Sequence, residues 1–152
     1  MIIIKSLKDF KEFINNYLFS LVEGELLKNK KLILILKGNL GAGKTTLVKL
    51  LAKKLKIKDN IISPTFILWR IYLFNLKSQK FKLNHIDLYR ISANELLKLS
   101  LKTKINEKYN LFLIEWGEKL IFYLNKNKLK YFLVEIKILS KQKRLIYLKW
   151  KK

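Results

Sequence analysis

The feature that most constrains this chain of 152 residues is an apolar run that ends directly in a cluster of glycines. Residues 32–36 read Leu-Ile-Leu-Ile-Leu, a pattern typical of a strand that is covered on both faces. Three of the five glycines follow within residues 38–43, and apolar residues then recur at helical spacing over about residues 44–56. A strand, a glycine loop and a helix in this order predict an α/β fold.

The glycine cluster matches the full pattern of a phosphate-binding loop, since residues 38–45 read Gly-Asn-Leu-Gly-Ala-Gly-Lys-Thr. Glycines let successive backbone N–H groups turn toward an anion, and the positive end of the following helix points to the same place. Lys44 is predicted to reach the β- and γ-phosphates, and the Thr45 hydroxyl to ligate Mg²⁺. A turn that matches the pattern by accident is the alternative, but the strand before the loop and the amphipathic helix after it favour nucleotide binding.

Two carboxylates stand at the ends of predicted strands. Glu115 directly follows the apolar run 111–114, and Asp87 follows the β-prone residues 81–86. A phosphate loop needs such a carboxylate to position Mg²⁺ or the attacking water, and a buried carboxylate is costly unless it serves a cation. For either residue alone a helix cap or a loop position is an equal alternative, whereas the two together favour metal chemistry.

Three further residues are candidates with open alternatives. Thr65, in the segment Ser-Pro-Thr-Phe at residues 63–66, is a candidate sensor of the γ-phosphate or Mg²⁺, although a turn shaped by Pro64 is equally compatible. His85 is a candidate proton carrier, but a lone histidine at a strand end is more often a hydrogen-bonded structural residue. Trp116 either packs over a partner or closes the core.

The remaining patterns predict a single domain over residues 1–152 with the architecture of a P-loop NTPase, a three-layer sandwich around a mixed parallel and antiparallel sheet. A capping box of Ser6 and Asp9 opens a first helix, and one of Ser92 and Glu95 opens a short later helix. Gly24 and residues 28–31 are predicted to form a loop. The other predicted elements are a strand at residues 2–4, an antiparallel hairpin from residues 66–74 and 81–86, a short helix at 118–124, and a closing pair of strands at 131–138 and 145–150.

The formal net charge of +22 is typical of proteins with a nucleic-acid or anionic-membrane partner. Only Arg70, Arg90 and Arg144 of the 33 basic residues are arginine, and the lysines are spread over almost every segment, which indicates a biased composition instead of a binding stripe. No apolar run approaches the roughly 18 residues of a membrane span, the N-terminus lacks a signal-peptide cleavage site, and there is no cysteine. We therefore expect a cytoplasmic protein that binds neither membrane nor DNA.

Four motifs in a fixed order resemble the bacterial TsaE family over nearly the whole chain. They are residues 38–47, 63–66, 85–90 (His-Ile-Asp-Leu-Tyr-Arg) and 114–118 (Ile-Glu-Trp-Gly-Glu). The resemblance implies an ATPase, stimulated by its partners, that is required for threonylcarbamoyladenosine formation in tRNA next to the anticodon. It further implies that the chain binds the TsaB–TsaD complex, resets it through ATP hydrolysis, and meets tRNA indirectly through that complex.

The resemblance also implies a role for each matching residue. Lys44, Asp87, Glu115 and Thr65 would serve hydrolysis; Thr45 and Glu115 would hold Mg²⁺; Gly38, Gly41, Ala42, Gly43, Lys44, Thr45 and Thr46 would hold ATP, with Arg144 as a late nucleotide contact. Asn39 stands where the family commonly has Asp, a change that bears on hydrolysis more than on binding, and Ser100 replaces a usual Gly. The N-terminal region matches the family only in its strand–helix pattern.

Two other functions stay open. A P-loop small-molecule kinase typically brings arginines onto the transferred phosphoryl group, and three scattered arginines disfavour such an enzyme. A non-catalytic basic RNA-binding module accounts for the charge but not for the glycine loop. ATP is favoured over GTP because no Asn-Lys-x-Asp motif follows a predicted strand.

Overall fold

Seven strands form one mixed sheet in a computed structural model of the protein, which describes residues 1–64, 67–92, 95 and 101–151. Across the sheet the strands lie in the order β1-β7-β6-β2-β5-β4-β3. In chain order they are β1 (Ile2–Ile4), β2 (Lys31–Lys37), β3 (Trp69–Leu76), β4 (Gln79–Asp87), β5 (Asn110–Glu115), β6 (Tyr131–Ile138) and β7 (Arg144–Lys151).

The four central strands β4, β5, β2 and β6 run parallel, and antiparallel strands flank them on both sides. Parallel neighbours place their carboxyl ends at the same edge of a sheet, which is where ligands bind in open α/β sheets. Strand β2 runs into the glycine loop at this edge, while Glu115 at the end of β5 pairs with Leu36 of β2 and with Asp87 of β4. The topology therefore brings the loop and both predicted carboxylates together.

Helices cover both faces of the sheet. One face packs against α1 (Leu7–Phe13), a π-helical segment (Ile14–Leu18), α2 (Phe19–Asn29) and α3 (Lys44–Lys54). The other face packs against α4 (Leu101–Lys104), a 3₁₀ segment (Gly117–Leu120) and α5 (Ile121–Lys126). Strand β2 is buried on both faces, as its unbroken apolar run requires. The predicted three-layer sandwich with a mixed sheet is confirmed.

The loop predicted at Gly24 and residues 28–31 is wrong, because α2 continues through Gly24 to Asn29 and Lys31 already belongs to β2. Val22 and Leu26 on this helix are fully buried. Burying two such side chains contributes about 1.5–3 kcal/mol each, which outweighs the roughly 1 kcal/mol that a helical glycine costs relative to alanine. The helix ends instead at Asn29, and the residue that caps it, Lys30, has a left-handed φ of 57°.

The other predicted elements are mostly confirmed within one to three residues. Ser6 accepts a hydrogen bond from the Asp9 backbone N–H and caps α1, and Ser92 and Glu95 make the second capping box. The helix predicted at residues 118–124 is a 3₁₀ turn followed by α5. Residue 66 of the predicted hairpin, and the part of the helix expected beyond Glu95 at residues 96–99, lie outside the described residues.

Candidate functional site

The site residues on β4 and β5 follow from the two-residue period of a strand. Alternate residues share a face, so His85 and Asp87 lie on the same side of β4, and Glu115 lies on that side of β5. This is the face that α3 covers, and apolar residues earlier on both strands pack beneath the helix. At the carboxyl ends the apolar residues give way to these three buried polar side chains. The change from apolar to polar along one face marks the site.

The glycine loop has a backbone that its glycines make possible. Gly38 has a φ of 154°, and a Cβ atom there would collide with the Ile136 carbonyl oxygen of β6. Gly43 has a φ of 109° and stands at the start of α3, which no side chain caps. The N–H groups in the first turn of a helix lack partners within that helix, so the loop and α3 present donors and the positive end of the helix dipole to one point. This is an anion-binding geometry.

The side chain of Lys44 folds back and contacts the backbone of the loop. Its Nζ donates hydrogen bonds to the Gly38 carbonyl at 2.6 Å and the Asn39 carbonyl at 3.0 Å, and lies 4.0 Å from the centre of the Trp116 ring. Burial lowers the pKa of this ammonium below its ordinary value, and the nearby carboxylates of Glu115, Glu118 and Asp87 oppose that shift. The amine is therefore a buried cation in a position to meet an anion in the loop.

A chain of hydrogen bonds joins α3 to β4 through the carboxylate of Glu115. The Thr45 hydroxyl donates to Glu115 Oε2 at 2.9 Å, and His85 Nε2 lies 2.8 Å from Glu115 Oε1. Glu115 is only 2 % exposed. Within the described part of the chain, each oxygen of this buried carboxylate thus has one side-chain partner, and the two partners come from different elements.

Asp87 lines a cavity of about 290 Å³ that Glu115 and the loop also line. Its Oδ1 accepts a hydrogen bond from the Tyr89 backbone N–H at 2.8 Å, which fixes the turn after β4. The cavity is lined by Leu40, Gly41, Gly43, Lys44, Thr45, Thr46, Ser63, Asp87, Tyr89, Glu115 and Trp116. Most of the predicted site residues therefore share one space.

A second cavity of about 480 Å³ is also lined by residues 41–43. Ile4, Leu7 and Phe10 supply apolar lining, and Thr46 borders both cavities. Arg144, the first residue of β7, also lines this cavity and donates to the carbonyls of Ala42 at 3.3 Å and Gly41 at 3.4 Å. Arg144 therefore contacts the backbone of the glycine loop directly.

The donor set suits a hard cation that arrives with phosphates. No group of three or more histidine, cysteine, aspartate or glutamate side chains within the described ranges is arranged to hold a metal ion. The oxygens that meet at the cavity are the Thr45 hydroxyl and the carboxylate of Glu115, with Asp87 nearby. Mg²⁺ prefers oxygen ligands and is typically held by one or two carboxylates together with substrate phosphates and water, so these residues fit Mg²⁺.

The structure also shows the surroundings of His85 and Trp116, for which the sequence left alternatives open. His85, for which a structural role was favoured, directly contacts Glu115. Trp116 is half-buried with a left-handed φ of 56°, and its ring packs against Lys44 and, at 5.0 Å between ring centres, Tyr89. The signal for His85 was its place two residues before Asp87, on the same strand face. Thr65 lies outside the described residues.

Comparison with known sequences finds a consistent set of relatives. The family described as "Threonylcarbamoyl adenosine biosynthesis protein TsaE" matches residues 8–146. A "tRNA threonylcarbamoyladenosine biosynthesis protein TsaE" from Aquifex aeolicus is 39% identical over 124 residues, which are 80% of this chain and 79% of that protein. The protein of the same description from Nostoc sp. is 41% identical over 91 residues, 58% of this chain and about half (54%) of the relative.

Comparison with solved structures supports the fold. The crystal structure of YdiB from Bacillus subtilis superposes with a TM-score of 0.55 over 84% of this chain and 77% of that one, at 22% sequence identity. At that identity the likeness concerns the architecture alone. Among the helices that the structure describes, none is long and apolar enough to span a membrane.

Proposed function

This chain belongs to the TsaE family of threonylcarbamoyl adenosine biosynthesis proteins, and from that premise we propose that it binds and hydrolyses ATP at its glycine loop. The observation that carries the proposal is the hydrogen bond of 2.9 Å from the Thr45 hydroxyl to Glu115. It joins the first turn of the helix after the loop to the carboxyl end of a neighbouring strand, the pair of groups between which phosphate-loop NTPases hold Mg²⁺.

The loop supplies the phosphate site. A triphosphate there accepts hydrogen bonds from the backbone N–H groups at the start of α3. It also offers Lys44 a charged acceptor in place of the Gly38 and Asn39 carbonyls. The phosphates carry negative charge and the carbonyls do not, so the Lys44 ammonium gains a charge–charge attraction when it exchanges those carbonyls for the β- and γ-phosphates.

The carboxylates at the strand ends serve the reaction. Thr45 and Glu115 hold Mg²⁺, which when bound neutralises charge on the phosphates. Asp87 borders the same cavity and orients the attacking water. The water oxygen bonds to the γ-phosphorus and gives up a proton to the solvent as the bond from that phosphorus to the β–γ bridging oxygen breaks, which leaves the electron pair on ADP and yields ADP, inorganic phosphate and a proton. Thr65, by resemblance to the family's switch segment, senses the γ-phosphate.

The nucleoside has room in the second cavity beside the loop. The cavity of about 480 Å³ combines apolar side chains with Arg144 and shares Thr46 and two loop glycines with the phosphate cavity. A nucleotide whose phosphates occupy the loop can therefore extend its nucleoside into the cavity that Phe10 and Arg144 line. This continuity supports a nucleotide as the ligand over inorganic phosphate alone.

The test of nucleotide chemistry compares two lysines of the same helix. In the full chain with ATP and Mg²⁺, we expect Lys44→Ala to abolish ATP binding in calorimetry and phosphate release. Lys49→Ala is the matched control, since Lys49 is exposed on α3, and it should leave both unchanged. Unchanged ATP affinity and turnover in Lys44→Ala would end this proposal.

The biological partner is proposed on the resemblance to the family. We propose that the protein acts in the cytoplasm on the TsaB–TsaD complex, meets tRNA only through that complex, and resets it by hydrolysing ATP. A pull-down with purified TsaB and TsaD tests this. We expect association that depends on ATP and Mg²⁺, and tight association that ignores nucleotide would contradict the reset role.

A further inference from the structure

One buried side chain beside the site has no part in the chemistry just described. His85 is fully buried on β4, and its Nε2 lies 2.8 Å from Glu115 Oε1. Its other ring nitrogen, Nδ1, is buried with no hydrogen-bond partner among the described residues. The one polar contact that the structure gives this imidazole is therefore the carboxylate at the end of β5.

Folding alone does not account for a histidine here. A buried polar atom without a partner destabilises the folded protein, and an apolar side chain at the same place would avoid that cost. Leu83, two residues earlier on the same strand face, is a fully buried leucine, so this face accepts an apolar side chain. The position keeps a hydrogen-bond donor at the cost of an unpaired nitrogen, and the donor is directed at Glu115.

The carboxylate needs more than one partner to hold its orientation. The last torsion of a glutamate side chain is broad and roughly two-fold, so a carboxylate held at one oxygen still swings about that contact. Thr45 holds Oε2 from α3, and His85 holds Oε1 from β4. Because the two partners belong to different elements, the plane of the carboxylate is fixed relative to both the loop helix and the sheet.

We propose that His85 is a positioning residue: its Nε2–H holds Oε1 of Glu115 so that Oε2 stays beside the Thr45 hydroxyl, where a divalent cation bound with the nucleotide is held. The proposal rests on the proposed ATP and Mg²⁺ site and assigns His85 no contact with nucleotide or metal. Partners that orient metal-binding carboxylates in this way are typically worth about 10–100-fold in metal affinity.

Two amide substitutions separate the donor from the ring. The amide nitrogen of glutamine in His85→Gln reaches about as far as Nε2, whereas that of asparagine in His85→Asn falls one methylene short. Binding of Mn²⁺ is measured by electron paramagnetic resonance with a non-hydrolysable ATP analogue present, and analogue affinity is measured separately in EDTA. We expect His85→Asn to bind Mn²⁺ roughly tenfold or more weakly. His85→Gln should stay within about threefold, and both should bind the analogue in EDTA like the wild type.

The wild-type protein offers a second readout that does not depend on any variant folding. His85 is the only histidine, so its ring nitrogens give unambiguous NMR signals. We expect the proton on Nε2, and an Nε2 signal that shifts when Mg²⁺ is added to the analogue-bound protein but not when Mg²⁺ is added without analogue. A proton on Nδ1 only, or an Nε2 signal that metal leaves unmoved, overturns the proposal.

The outcomes keep this inference apart from the proposed function. A wild type that binds neither analogue nor Mn²⁺ contradicts the ATPase proposal and this inference with it. A wild type that binds both, while His85→Asn binds Mn²⁺ equally well, contradicts the positioning role alone. Equal losses in His85→Asn and His85→Gln also overturn it, because the reach of the donor would then be irrelevant.

Discussion

Strands β4 and β5 bury polar side chains on both of their faces, and the two groups differ in what they can do. On the face toward α3 lie His85, Asp87 and Glu115, which we call the charged cluster. On the opposite face Asn84 and Asn110, together with the Trp69 indole of β3, form what we call the amide cluster. Neighbouring residues of one strand, His85 and Asn84, thus belong to different clusters because side chains alternate along a strand.

The polar side chains of the amide cluster form hydrogen bonds with one another and with the backbone. Asn84 Nδ2 donates to Asn110 Oδ1 at 2.8 Å, and the Trp69 indole N–H donates to Asn84 Oδ1 at 3.1 Å. Asn110 Nδ2 in turn donates to the Lys108 carbonyl at 3.0 Å. None of these side chains is ionisable, and each hydrogen bond stays within the protein. Such a network ties three strands and a loop together.

The charged cluster is open to a cavity and incompletely satisfied. Its carboxylates face the space that the glycine loop also lines, and His85 Nδ1 has no partner among the described residues. Burial of polar groups is therefore not by itself the mark of a site in this protein. Groups that carry charge, face open space and keep an unpaired atom distinguish the charged cluster from the amide cluster.

The largest expected effect is on the rate of ATP hydrolysis, when the carboxylate of Glu115 is replaced by a neutral amide. We expect Glu115→Gln to lower the ATP hydrolysis rate by about 100-fold or more, since a single group that stabilises transition-state charge is commonly worth that much. Phosphate release by the purified protein at saturating ATP and Mg²⁺ measures it. Glu135→Gln is the matched control, because Glu135 pairs with Lys37 at the edge of the loop region without contacting Thr45 or Lys44. Equal rates in the two variants would contradict a role of Glu115 in hydrolysis and with it the chemical role of the charged cluster.

The next largest effect should come from opening the amide cluster. Asn84→Leu leaves the Trp69 indole N–H and the side-chain oxygen Oδ1 of Asn110 without these partners, so we expect the free energy of unfolding to fall by about 2 kcal/mol. Nucleotide affinity should stay within about twofold of the wild-type value. The contacts of Asn84 lie on the opposite face of the sheet from the charged cluster, and substitutions at sites without shared contacts have independent effects. Urea denaturation and calorimetry measure the two quantities. A tenfold loss of nucleotide affinity would show that the faces are coupled.

The sequence predicts the open edge of the site better than its interior. Glycines, Lys44, Thr45 and the two strand-end carboxylates stand beside recognisable elements, and parallel strands bring their ends together without further information. The alternation of buried residues then places Asp87 and Glu115 on the α3 face. These features depend on local pattern and topology, both of which the sequence carries.

The interior depends on register, which local pattern does not carry. The contact from His85 to Glu115 and the one from Asn84 to Asn110 exist because β4 and β5 pair with Asp87 opposite Glu115. A shift of one residue in the pairing of a strand would move each of its side chains to the opposite face of the sheet. The helix through Gly24 was missed for a related reason, since the burial of Val22 and Leu26 against the sheet is a tertiary effect.

The charged cluster should also respond to pH where the amide cluster cannot. Burial lowers the pKa of Lys44 in the nucleotide-free protein, and bound phosphates favour the ammonium and raise it. Affinity is thus constant while Lys44 is charged in both states and falls by roughly tenfold per pH unit between the lowered and the raised pKa. Calorimetry of an ATP analogue from pH 7 upward measures the decline.

Two variants sharpen that pH test. Lys44→Arg should show no such decline, because a guanidinium stays charged throughout this range. Asn84→Leu should keep the wild-type profile, because its contacts lie on the other face of the sheet. A decline that persists in Lys44→Arg would assign the titration to another group.

The smallest effects should come from the two tryptophans, one in each neighbourhood. Trp69→Phe removes the indole donor to Asn84, so we expect a loss of about 1 kcal/mol of stability and no change in nucleotide affinity. Trp116→Phe keeps an aromatic face beneath Lys44 and should change analogue affinity by less than about fivefold, the size of a weakened cation–π contact, while stability is preserved. Urea denaturation and analogue binding give the free energy of unfolding and the analogue affinity of each variant. The reverse assignment, with Trp69→Phe altering affinity and Trp116→Phe altering stability, would contradict the division between a closed structural network and an open chemical one.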